Sequence, residues 1–150
     1  MERQYIRLAG ILLVVFPTVV FGGVSILSRL ISDPAYADNA LRQDLWRAGH
    51  AHAGVLLILS LVLLRYAHLL RLPSGLQWLA VHAGPIAAIL LPLGMFLSVL
   101  TPDATEPNAM IWFAFAGGTL LFAGLLTFGV GLLRNPSNAA AEDRTASVSP

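Results

Sequence analysis

The sequence predicts an all-α fold, a four-helix transmembrane bundle with both termini in the cytoplasm. Three observations carry this expectation. Of the 150 residues, 57% are hydrophobic, and the mean hydropathy of +0.75 is out of range for a soluble globular domain. The apolar residues gather into four stretches of about 20, the length that crosses a bilayer core. Arginines are spread unevenly over the segments between those stretches, which sets orientation.

The first span is expected at about 8–28, from Leu8 to Ser28, with no charge inside it. Arg3 and Arg7 ahead of it and Ala35-Tyr36-Ala37 behind it imitate a cleavable signal peptide. An apolar run of about 21 residues exceeds the ~7–15 of a signal core, so an uncleaved helix is expected. The second span, about 48–70, follows Trp46-Arg47 and stays apolar to Arg65. The turn Arg71-Leu72-Pro73-Ser74-Gly75 leads to the third, about 77–100. A polar loop, Thr101 to Asn108, precedes the fourth, about 110–133, and Pro and Gly in these connections break helices. The polar stretch 136–150 reads as a disordered cytoplasmic tail.

Arg3, Arg7, Arg65, Arg71, Arg134 and Arg144 fall on one side of the predicted bundle. On the other side Arg29, Arg42 and Arg47 are balanced by Asp33, Asp38 and Asp44, and the third loop has only Asp103 and Glu106. The positive-inside rule then places both termini in the cytoplasm. Trp46, Trp78 and Trp112 stand at span starts, as interfacial anchors do. All nine basic residues are arginine, a usage expected of a GC-rich bacterial genome, so the expected location is the bacterial inner membrane.

Lipid gives helices no hydrophobic drive to associate, so their contacts should use small residues. Thr119, Ala123, Thr127 and Gly131 form a stripe at four-residue spacing on the fourth span. Gly117, Gly118, Gly124 and Gly129 on that span, with Gly49 and Ala53 on the second, are further close-approach points. Pro17, Pro85 and Pro92 are expected to kink their helices. Such stripes suit a four-helix bundle or a homo-oligomer seam.

All four histidines lie on two neighbouring spans: His50, His52 and His68 on the second, His82 early in the third. An ionisable residue inside a span is costly and marks function by default. Residues two apart on a helix point roughly 200° away from each other, so His50 and His52 do not grip one metal together. His50 and His68 share a face but stand about 27 Å apart, too far for one cofactor. Depth, at ~1.5 Å per residue, sets Met95 level with His50 and His52, and Met110 at the outer start of the fourth span. Imidazole with thioether suits copper, or a haem with His/Met axial ligands. At the inner edge His68 and His82 differ by about 6 Å in depth, with Arg65 and Arg71 at hand for haem propionates. Plainer readings stand beside these: His68 as an interfacial residue, His82 bonded to a carbonyl freed by Pro85, and both methionines as packing.

The segment Gly49-His50-Ala51-His52-Ala53-Gly54-Val55-Leu56 resembles the second helix of the catalytic subunits of haem–copper oxidases and nitric oxide reductases. It is also similar to small four-helix bacterial membrane proteins that carry His-x-His at the start of their second helix. The resemblance implies that His50 or His52 is an axial haem ligand near the outer face. Those catalytic subunits are far larger and use histidines on later helices, whereas the fourth span here has none. What the resemblance implies is therefore a haem-binding or metal-binding module, not oxygen or nitric oxide reduction by this chain alone.

Other chemistry is excluded residue by residue. Without cysteine there are no disulfides or thiolate-held metal centres. A formal net charge of +1 gives no basic stripe for nucleic acid. Phosphate loops, His-Glu-x-x-His and a Ser/His/Asp set are absent, and no Asp or Glu falls inside a span. The expectation is thus a multi-pass membrane protein, not an enzyme on its own, binding haem b or copper through His50, His52, His82 and Met95. Its role would be electron transfer, sensing or cofactor handling. The alternative is a non-catalytic accessory or assembly subunit of a larger membrane complex.

Overall fold

The computed structural model describes residues 2–134, so the expected tail at 136–150 lies outside the described residues. The fold is all-helical. Helix α1 runs Glu2–Ser32, the short α2 Pro34–Ala37, α3 Ala40–Tyr66, α4 Ser74–Ser98 and α5 Trp112–Leu133. Single 3-10 turns at Ala67–Leu69 and Ala109–Ile111 end the second long segment and open the last. Four of these segments are long and apolar enough to cross a membrane. The end holding the N-terminus and residues 70–73 is called proximal below, and the opposite end distal.

Each expected span has its helix, but α3 begins at Ala40 rather than near 48. Asn39 caps it: the backbone is extended there and Oδ1 accepts the Arg42 N–H at 3.0 Å. Two polar turns are thereby added to an apolar helix. The far end of this span is also tighter than an ideal helix, because His68 falls in the 3-10 turn and not on α3. The helical phase that put His50 and His68 on one face therefore does not extend to His68. Helical structure continues through Pro17, Pro85 and Pro92.

The long helices pack in chain order, as a row. α4 lies against both α3 and α5, and α1 rests chiefly on α3. Small residues let the helices of the row approach closely. A Cβ on Gly94 would collide with the Ala114 backbone, and one on Gly124 with the Ala83 side chain. On the other side of α4, a Cβ on Gly84 would lie 2.7 Å from Ser60 Oγ. That hydroxyl, buried between α3 and α4, donates to the Leu56 carbonyl at 2.6 Å. The α5 seam is Ala114, Gly117, Gly124, Phe128 and Gly131, all buried. Of the expected stripe only Gly131 lies in this seam: Thr119 is exposed, and its hydroxyl and that of Thr127 bond within α5. Gly118 and Gly129 face open space. Four-residue steps drift about 40° each around a helix, so a straight seam must alternate steps of three and four.

Candidate functional site

The distal end is built around Arg42, which the sequence had balanced by charge against the loop aspartates. Two of those aspartates stand beside other arginines: Arg29 pairs with Asp33 at 3.0 Å and Arg47 approaches Asp44 at 3.8 Å. Arg42 is 3% exposed. Its guanidinium donates to the carbonyls of Val99, Ala35 and Leu100 at 3.2, 3.4 and 3.4 Å. It also lies over the rings of Trp46 and Tyr36, 4.9 and 5.8 Å from their centroids. Carbonyl dipoles and π faces thus stand where a carboxylate would. Asn39 extends the network by donating through Nδ2 to the Ala104 carbonyl at 2.9 Å and the Pro102 carbonyl at 3.2 Å. Trp46, expected as an interfacial anchor, is buried; its Nε1 donates to the Phe96 carbonyl at 3.3 Å. Trp78 and Trp112 are exposed and fit the anchor role. Burial pushes the Tyr36 phenol above its ordinary range, with Arg47 and Arg42 opposing that shift. Its hydroxyl is buried with no hydrogen-bond partner among the described residues.

One turn below Trp46 the histidine pair divides, as the 200° phase requires. His50 turns to α1 and fills a notch at Gly22-Gly23: a Cβ on Gly23 would lie 2.9 Å from Cε1 and Nε2. His52 is exposed, with Nδ1 2.7 Å from the Ala48 carbonyl oxygen. A carbonyl only accepts, so Nδ1 of His52 is the donor, and in the neutral ring Nε2 keeps its lone pair. Met95 packs on α3 at Gly49, where a Cβ would be 3.3 Å from the Met95 Cβ. Met110 is exposed in the 3-10 turn that opens the last segment, its N–H bonded to Asn108 Oδ1 at 2.8 Å. The matching depths expected from the sequence therefore do not gather these four side chains on one face. Among the described residues no group of three or more His, Cys, Asp or Glu is placed to hold a metal ion.

The proximal end holds the other two histidines, on opposite sides of Tyr5. His82 has its Nδ1 3.0 Å from the Trp78 carbonyl and its ring stacked on Trp78, centroids 5.0 Å apart. That carbonyl is one turn back along α4 and is not the one Pro85 frees, which belongs to Val81. Gln77 Nε2 donates to the Tyr5 hydroxyl at 2.9 Å and ties α1 to α4. A groove of about 390 Å³ opens between these helices, lined by Gln4, Tyr5, Arg7, Trp78 and His82 among others. On the far side of Tyr5 a groove of about 270 Å³ is lined by Ile6, Leu64, Arg65 and His68. His68 and His82, expected at one inner edge, each line a groove of their own.

The fold and these sites define a class only: an all-helical chain with four potential membrane spans and two separate histidine regions. No family model, no curated protein and no solved structure matches the chain.

Proposed function

We propose that this chain is a multi-pass protein of the bacterial inner membrane that presents the His52 imidazole to haem b or copper near the outer face. Electron transfer, sensing or cofactor handling would follow from that. One observation carries the reading: the Ala48 carbonyl fixes the His52 tautomer and leaves Nε2 free on an exposed ring. A metal-ligating histidine is held in this way, with one ring nitrogen bonded to backbone and the other directed at the metal. His50, seated in the α1 notch, is assigned to helix contact. A single exposed imidazole supplies one axial position, so the other ligand comes from a second copy or a larger complex.

The absorption spectrum of detergent-purified protein tests this, with metal analysis beside it because Cu(I) is silent in the visible. We expect a Soret band or bound copper that is lost in His52→Ala and kept in His50→Ala. A colourless, metal-free preparation overturns the reading. The alternative is a non-catalytic accessory or assembly subunit of a larger membrane complex. Recovery of a stoichiometric membrane partner on gentle solubilisation is its test. Orientation is tested with introduced cysteines, since the chain has none of its own. A membrane-impermeant maleimide should label Thr105→Cys on intact cells and Ser74→Cys only after permeabilisation; the reverse pattern inverts the topology.

A further inference from the structure

We propose that the proximal groove between α1 and α4 binds one anionic phospholipid, with its phosphate at Arg7 and the Tyr5 hydroxyl and an acyl chain along α1. This rests on the reading of the long helices as membrane spans, though not on which face is cytoplasmic. The groove's wall is polar at one end and apolar at the other. Gln4, Tyr5, Arg7, Trp78 and His82 line the polar end. From Arg7 and Ile11 a second hollow of about 430 Å³ continues past Gly10, Val14 and Val15. All five residues lining this channel are on α1, so it is open along its outer side, and nothing lies within 4 Å of where a Cβ on Gly10 would be.

Charge selects the head group. Among the described residues the lining contains an arginine and no carboxylate. Arg7 is exposed and has no ion pair or hydrogen bond among the described residues, so its guanidinium is available to an anion. Tyr5 accepts from Gln77, which leaves the phenolic proton to donate. Trp78, 55% exposed and stacked on His82, stands where indoles anchor at the level of lipid head groups. A free phosphate would satisfy Arg7 but has no use for the apolar channel. The groove on the other side of Tyr5 repeats the arginine and histidine as Arg65 and His68, and so provides an internal control.

The test is native mass spectrometry of the full chain released from bilayers of equal phosphatidylglycerol and phosphatidylcholine. One phosphatidylglycerol per chain should be retained in preference to phosphatidylcholine. Arg7→Gln should weaken retention about fivefold, the contribution of one arginine near an anionic surface. Gly10→Leu, which fills the channel without touching the head-group residues, should weaken it as well, while Arg65→Gln leaves it unchanged. Equal retention of the two lipids overturns the proposal, as does an equal loss in Arg65→Gln and Arg7→Gln. Co-purification of a neutral amphiphile in the groove in place of phospholipid also overturns it. None of these outcomes touches the spectrum or the maleimide pattern, so the proposals on His52 and on orientation stand or fall separately.

Discussion

At the distal end, Arg42, Asn39 and Trp46 bond to carbonyls of residues 35 to 104 and lock two loops onto the head of α3. At the proximal end, cationic and imidazole groups line two open grooves, and the Gln77–Tyr5 bond joins α1 to α4 between them. Both ends contain arginine, but it does opposite work. A guanidinium surrounded by carbonyls and rings is a structural joint, whereas one facing an open groove without a partner is a receptor for charge. The difference cannot be read from residue type; it lies in what surrounds the side chain.

Breaking the distal joint should have the largest effect. Arg42→Ala leaves three carbonyls without their donor in a buried site, and we expect a loss of roughly 3 kcal/mol. Thermal unfolding in detergent would show it, and Arg42→Lys should not rescue it, because a point charge cannot reach three acceptors and stack on two rings. Next comes the α1 notch. Gly23→Leu must displace the His50 ring at a cost of about 2 kcal/mol, in the range of overpacking. Combining it with His50→Ala should recover much of that loss; a strictly additive double variant would show that the two residues do not touch.

Smaller and opposite in sign is Tyr36→Phe, which removes a buried hydroxyl without a partner and should stabilise by about 1 kcal/mol. Its pH behaviour sharpens the point. The folded state raises the Tyr36 pKa, so the stability of neutral tyrosine is fully present below the unfolded value near 10 and is lost as pH rises through the folded value. Alkaline unfolding should therefore be shallower in Tyr36→Phe. At the proximal end His68→Gln should change stability by less than about 0.5 kcal/mol, since His68 is exposed in a groove. A large loss there would erase the contrast between the two ends.

Much of the fold was legible because the four long apolar runs match the length that crosses a bilayer, and their breaks are marked by Pro73, Pro102 and Pro107. Less legible was anything set by long-range contact. The start of α3 at Ala40 had its signal in Asn39, but apolar counting passes over a polar first turn. Arg42 could be balanced on paper by nearby aspartates, while its partners Val99 and Leu100 are far away in the chain. His50 and His52 were separable by helical phase. What received His50 was sought among methionines of equal depth, although Gly22-Gly23 was the visible clue that α1 leaves room for a ring.

The glycine contacts on both sides of α4 also constrain movement. With Gly84 against Ser60, and Gly94 and Gly124 against Ala114 and Ala83, α4 is closely packed on both sides, which leaves little room to rotate or slide. α3, α4 and α5 therefore behave mechanically as a plate. Among the described residues α1 has no such glycine interlock on α4 or α5; the imidazole at Gly23 and the Gln77–Tyr5 bond hold it, which makes it the stave expected to swing. Spin labels on α1 and α5 should accordingly report a broader distance distribution than labels on α3 and α5, and the grooves flanking Tyr5 would widen or narrow as that stave moves.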